Sequence, residues 1–290
     1  MSEDAPAQAD TSDPVSATAE PLPQTLGASR LQHCSFVPTQ HSPAMPARLR
    51  LAECPEAGIV GFRVWRAARL LCRYLEQREA GLWAPPLAKA TLRAGCRVLE
   101  LGAGCGLVGI ACAHLGAEAT LTDAAEVLPM TRRNVGANPL PASAGRAIRV
   151  RELAWGCDVR EAFPRGSFDL VLGSDLTYYQ SLYNPLLLTL LQLVDEESEV
   201  LLAHVQRRDE LRRWQACCGQ YFSIEAVATD SEISARAPVE RGGEDEEGGP
   251  SDGDDSGEES LAVTVYRMRL RGQPPTDDEV AQLLAGLRTL

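Results

Sequence analysis

Residues Val98 to Asp123 read VLELGAGCGLVGIACAHLGAEATLTD, and the order of residue types in this stretch decides the fold. An apolar run, Val98, Leu99 and Leu101, breaks at Gly102, Gly104 and Gly106 and passes into a helical pattern from Leu107 to Leu115. That succession predicts a strand, a tight turn and a helix. Glycine is needed in such a turn because the backbone must adopt positive φ and let a ligand come closer than a Cβ would permit. The loop cradles a polar ligand at the helix N-terminus, where unpaired N–H groups point outward. A second apolar segment, Ala119 to Thr122, ends in Asp123, whose carboxylate is placed to accept hydrogen bonds from two ribose hydroxyls. Together these elements predict a nucleoside-binding half of a doubly wound α/β sheet.

Two nucleosides fit this loop. Gly104, Gly106 and Gly109 satisfy G-x-G-x-x-G with an acid about 20 residues on, which allows a dinucleotide. The overlapping frame Glu100-x-Gly102-x-Gly104-x-Gly106 instead sets a carboxylate at the strand end. Beside a pyrophosphate that carboxylate would add like-charge repulsion, whereas it can face an ammonium group. Glu100 therefore favours a cationic amino-acid nucleoside, S-adenosylmethionine, over a nicotinamide dinucleotide. A tight strand-to-helix turn with no ligand would also use glycines, but it would not need the acid-tipped second strand.

Outward from this core the chain alternates strand and helix, as a doubly wound sheet requires. A helix is expected over Glu126–Ala137, stopping before Pro139, which cannot continue it. Ile148–Leu153, Leu170–Gly173 and Val200–Val205 read as three further strands, each followed by helix-like sequence, and Tyr221–Ala228 with Leu261–Leu270 as a closing hairpin. The strand at Leu170 runs out through Ser174, Asp175, Leu176, Thr177 and Tyr178, so Asp175 and Tyr178 leave the carboxyl edge of the sheet, where ligands of such folds bind. The alternative is that Asp175 caps the next helix and Tyr178 is core. His204, on an apolar strand, reads as a core histidine rather than a base.

The 290 residues and 44% hydrophobic content suffice for one large core. Nine cysteines, an odd number with no C-x-x-C pair, point to reduced thiols in the cytosol or nucleus, and no apolar stretch reaches membrane-spanning length. Of the formal net charge of −12, −9 falls between Glu240 and Glu259, where ten acids accompany one arginine. The remainder is nearly balanced and lacks the basic stripe that nucleic acid requires. Three units follow: a disordered leader over 1–30, a domain over 31–272 carrying the acidic insertion 240–259 as a solvated loop, and an amphipathic helix within 273–290. That helix opens with a capping box, Thr276 and Glu279, and repeats Val280, Leu283, Leu284 and Leu287.

The segments GFRVWRAARLLCRYLE (Gly61–Glu76), VLELGAGCGLVGI, LTDAAEVLPMTRRNV, ELAWG (Glu152–Gly156) and FDLVLGSDLTYY (Phe168–Tyr179) occur in an order that resembles the seven-strand, class I methyltransferases. More narrowly, they are similar to the methyltransferase 16 family of protein-lysine methyltransferases, of the methyltransferase-like 21 type. The resemblance implies a Rossmann-like sheet ended by an antiparallel hairpin and a methyl transfer from S-adenosyl-L-methionine to a lysine of a protein, such as a chaperone, an AAA-type ATPase or an elongation factor. It assigns Asp175 and Tyr178, as a D-x-x-Y motif, to the acceptor side. It assigns Trp65, Glu100, Gly102, Gly104, Gly106, Asp123, Trp155 and Ser174 to the cofactor side, with Trp155 against adenine and Trp65 closing the site. Arg207 is a further candidate for the acceptor channel. Cys105 stands where the family more often has threonine or serine. Related folds also methylate histidine, arginine or small amines, and a small-molecule N-methyltransferase is the nearest alternative; a non-catalytic binding module stands further off.

Overall fold

The computed structural model describes residues 30–40, 42, 45–84, 88–93, 95–145, 147–206, 210–236 and 261–287. The expected leader (Arg30 excepted), the acidic segment Glu240–Glu259 and Arg207 lie outside the described residues. Seven strands form one sheet: β3 (Arg97–Leu101), β4 (Glu118–Asp123), β5 (Arg149–Glu152), β6 (Leu170–Ser174), β7 (Glu199–Val205), β8 (Phe222–Thr229) and β9 (Val263–Leu270). Their order is β5-β4-β3-β6-β7-β9-β8, parallel except for β9, which runs antiparallel to β7 and β8. This is the doubly wound, class I methyltransferase arrangement with its terminal hairpin. Strand order reverses at β3, between β4 and β6, and ligand sites of such sheets open beyond that point.

Side-chain alternation along the strands divides the core into two layers. Val98, Leu170, Leu172, Leu201 and Ala203 pack with α1 (Arg66–Glu79), α2 (Leu107–Leu115) and α3 (Leu128–Ala137). Leu99, Leu101, Val171, Val200 and Leu202 pack with α4 (Tyr183–Leu193) and α5 (Glu210–Cys218). The same alternation turns Glu100 toward α2. A short helix, α6 (Asp230–Ala235), follows β8 directly, started by a capping box between Thr229 and Glu232. The Arg66 guanidinium ion-pairs with Asp230 at 2.8 Å and donates to the Leu261 carbonyl at 2.6 Å, fastening both ends of the hairpin interruption to α1. α7 (Asp277–Leu287) begins at the Thr276–Glu279 box and buries Val280 and Leu284 against Leu188 of α4.

Two features depart from the sequence expectation. No helix forms between β5 and β6: residues 153–169 run as turns, with Gly156 and Gly166 at positive φ. Pro164 and these glycines oppose a helix there, and α4 supplies the backbone partners a helix would have given. Thr189 Oγ1 accepts from Gly156 N–H at 3.0 Å, and Gln192 accepts from Val159 N–H at 3.0 Å and donates to the Cys157 carbonyl at 2.9 Å. The second departure is an N-terminal hairpin, β1 (Gln32–Phe36) and β2 (Leu49–Glu53), docked on α3. Buried Asn134 receives Ala52 N–H at 2.7 Å and donates to the Ala52 carbonyl at 3.0 Å; Asn138 does the same for Arg50 at 2.9 and 2.7 Å. Two asparagines one helical turn apart thus act toward β2 as a neighbouring strand would. Among the described residues, no helix is long and apolar enough to cross a membrane.

At the far end of the sheet Glu199 is fully buried and paired with Arg78, equally buried, at 2.8 Å, with Arg267 and Arg269 both at 3.3 Å. Removing one partner of such a pair leaves an uncompensated interior charge. Glu199→Ala is therefore expected to lower the unfolding free energy by about 3–5 kcal/mol, read as a reduced urea midpoint. A midpoint equal to that of the wild type would show that water reaches Arg78.

Candidate active site

A cleft of about 520 Å³ opens beyond the carboxyl ends of β3, β4 and β6. Trp65, Gly102, Gly104, Gly106, Asp123, Trp155, Ser174, Asp175 and Tyr178 all line it. Glu100 does not, and its expected place facing the ligand is corrected here. Its side chain is 2% exposed and lies beneath α2, where Oε2 accepts the Gly109 N–H at 2.8 Å. Burial pushes the carboxyl up to about 8, the Gly109 bond opposing this and the Asp123 charge adding to it.

The glycine loop is held by side chains other than its own. Asp123 Oδ2 accepts Gly104 N–H at 2.7 Å and Oδ1 accepts Ala124 N–H at 2.8 Å. From α3, Thr131 Oγ1 donates to the Gly104 carbonyl at 2.7 Å and Asn134 Nδ2 to the Cys105 carbonyl at 2.9 Å. Neither Thr131 nor Asn134 stood out in the sequence; their only signal was polar residues within an otherwise apolar helix face. Gly104 sits at φ +53, and a Cβ there would lie 2.8 Å from the Gly61 carbonyl oxygen. The chain before α1 therefore rests directly on the loop. On the other side, a Cβ at Gly102 would meet Leu176 at 2.7 Å and the Trp155 ring at 3.2 Å.

Burial raises the Asp123 carboxyl above its usual range, against the lowering by its two N–H donors. Trp65, just ahead of α1, donates its ring N–H to the Val60 carbonyl at 3.1 Å, and the Arg63 guanidinium lies 5.1 Å from its ring centre. The half-buried Trp155 presents its ring to the loop from the turn after β5.

Asp175 is the one non-glycine at positive φ among the described residues, at +54. Its N–H is taken by the Ala203 carbonyl of β7 at 2.8 Å, and two residues on, Thr177 Oγ1 meets His204 Nδ1 at 2.6 Å. His204 is buried, as expected of a core histidine, and its contact steadies the centre of the D-x-x-Y turn. The half-buried Tyr178 hydroxyl has its pKa raised by burial first, then by Asp123, Tyr179 and Asp175. It is a phenol at neutral pH, able to donate and to accept but not a base. Asp123 and Asp175 both act on it, so the acid ending β4 and the turn leaving β6 converge in one cleft.

Comparison with known proteins agrees with this geometry. A family model described as lysine methyltransferase matches residues 45–216. Protein N-lysine methyltransferase METTL21A of Danio rerio is 37% identical over 185 residues, covering 64% of this chain and 79% of its own. EEF1A lysine methyltransferase 3 of Xenopus tropicalis is 33% identical over 220 residues, covering 74% of this chain and 90% of its own.

The position of Glu100 has a pH consequence. A carboxyl with a folded pKa above its unfolded one binds a proton more readily when folded, so it lowers stability as pH rises from the ordinary carboxylate range to about 8. Glu100→Gln keeps an acceptor for Gly109 and removes the ionisation. Its urea midpoint should gain on that of the wild type as pH rises through this window; a constant difference would place a permanent charge at Glu100.

Proposed function

Since the chain belongs to the lysine methyltransferase family, we infer that it transfers a methyl group from S-adenosylmethionine to a lysine side chain of a protein. The observation that carries the site assignment is the convergence of Asp123, Trp155, Asp175 and Tyr178 on one cleft. The cleft fits the donor. Its volume lies within the small-molecule range of roughly 300–1,000 Å³. It offers an acid at a strand end, a glycine-rich loop leading into a helix N-terminus, and an indole wall. On this reading Asp123 accepts from the ribose hydroxyls while retaining Gly104 N–H, and Trp155 stacks against adenine, a contact any purine face permits. Trp65, Ser174 and the loop backbone close round the rest.

The bound donor supplies an electrophilic methyl group on a sulfonium sulfur. The chain must bring a neutral lysine amine in line with that carbon and exclude competing water. Asp175 and Tyr178 attract the incoming ammonium by charge and by the ring face. Once the ammonium has given its proton to solvent, the Asp175 carboxylate and the Tyr178 hydroxyl hold the remaining N–H groups of the amine and so aim the lone pair. The new N–C bond forms as the S–C bond breaks, and the resulting methylammonium keeps the same partners. Positioning, rather than a strong base, is the contribution of these residues.

The acceptor class rests on the family resemblance, which implies an elongation factor, a chaperone or an AAA-type ATPase; one relative carries EEF1A in its name. Nine unpaired cysteines suit a reducing compartment, which supports the cytosol or nucleus.

Two experiments test the assignment. Asp123→Ala should weaken both S-adenosylmethionine and its demethylated product by about tenfold or more in isothermal titration, the scale of one lost charge-assisted hydrogen bond. For the acceptor side Asp175→Asn is the suitable change, because asparagine tolerates φ +54 whereas alanine would add strain. Labelled transfer into cell-lysate protein, with mass spectrometry of the modified residue, should fall about a hundredfold or more in Asp175→Asn while donor affinity holds. Tyr178→Phe should lose little if the ring face matters and much if the hydroxyl aims the amine. Full transfer in Asp175→Asn would return that residue to a structural role.

A further inference from the structure

Among the described residues three large apolar side chains stand exposed: Val60, Leu82 and Tyr179. Single exposed apolar residues are ordinary on a protein surface. The location and fastening of two of these are not. Val60 lines the reaction cleft, and its carbonyl holds the ring N–H of Trp65 at 3.1 Å. Tyr179 is 59% exposed, yet its ring centre lies 4.6 Å from that of Tyr178. Each is thus attached to an aromatic residue of the cleft, one on the chain leading into α1, the other on the turn leaving β6. Leu82 follows the C-terminal end of α1, at the opposite end of that helix from Trp65.

We propose that Val60 and Tyr179 form an apolar lip that docks the acceptor protein, packing against the methylene stem of the target lysine and an apolar residue beside it. The proposal rests on the lysine methyltransferase reading and specifies how that site selects its substrate. A lysine stem is four carbons of apolar surface ending in a charge, so exposed apolar side chains beside a cleft that holds a carboxylate and a phenol match its two ends. A tyrosine already held by a neighbouring ring loses little conformational freedom on docking, the property that makes tyrosine a frequent anchor in interfaces.

The test uses the acceptor protein that the wild-type enzyme labels, intact, with steady-state kinetics for Tyr179→Ala, Val60→Ser, Tyr179→Phe and Leu82→Ser. Tyr179→Ala and Val60→Ser should raise KM for the acceptor by about tenfold or more, with kcat and donor affinity unchanged, as expected for an interface anchor. Tyr179→Phe should restore wild-type KM, and Leu82→Ser should behave as wild type. Unchanged KM in both lip variants overturns the proposal, as does a fall in kcat at constant KM. A wild-type dimer abolished by Tyr179→Ala with KM unaltered would assign the lip to a second copy of the chain and likewise overturn it. Label on a residue other than lysine would instead overturn the acceptor assignment, and KM for that acceptor would still decide whether the lip docks it.

Discussion

A loop of five residues with three glycines cannot hold its own shape, and the site depends on how other elements impose one. Asp123 takes the Gly104 N–H, Thr131 the Gly104 carbonyl and Asn134 the Cys105 carbonyl. Three side chains from β4 and α3 therefore fix the backbone that must approach a ligand closely, each satisfying a polar group that would otherwise be buried without a partner. Gly61 presses on the loop from above and Trp155 and Leu176 from the side. The chain before α1, though distant in sequence, is in this way part of the cleft wall. Asn134 links the loop in turn to β2, so the N-terminal hairpin shares the same anchor.

Much of this was legible in the sequence, for a physical reason: the strand-turn-helix at Val98 is a local pattern, and its glycines and terminal acid are consequences of local geometry. The placement of Asp175 and Tyr178 followed likewise from their standing just past an apolar strand. Glu100 was misplaced, although the alternation of Val98, Leu99, Glu100 and Leu101 already set it on the face of Val98, beneath the helix. Asn134 and Asn138 were not legible, because their partners lie more than 80 residues away in β2 and polar residues on a helix ordinarily read as its wet side. The missing helix after β5 has the same character: Thr189 and Gln192 supply its hydrogen bonds from an otherwise leucine-rich α4. Non-local backbone satisfaction leaves little trace in a single sequence.

Charge in the cleft is arranged for cationic ligands. A sulfonium donor and a lysine ammonium are both positive, and a site binding both must supply negative charge without permanent repulsion between its own acids. Glu100, displaced beneath α2 and raised to about 8, carries little charge at neutral pH. Asp123 is tethered by two N–H groups at the end of β4. Asp175 lines the same cleft and acts on Tyr178, whose raised pKa keeps it neutral. On the proposed reading Asp123 serves the donor and Asp175 the acceptor.

The positive φ of Asp175 shows how the acceptor side is set. An L-residue in the left-handed region is disfavoured, and aspartate is among the few types that occupy it at modest cost. The conformation persists because β7 overdetermines it, through the Ala203 carbonyl on the Asp175 N–H and through His204 on Thr177. The gain is directional. A strand continuing in extended geometry would carry residue 175 on in the line of the sheet, whereas the left-handed turn swings the chain so that residues 175 and 178 both line the cleft. The D-x-x-Y spacing is therefore a statement about backbone as well as side chains: two intervening residues complete the turn, and the second of them, Thr177, anchors it to the sheet. His204, which reads in the sequence as a core histidine on an apolar strand, is the buried partner that ties this turn to β7 through Thr177.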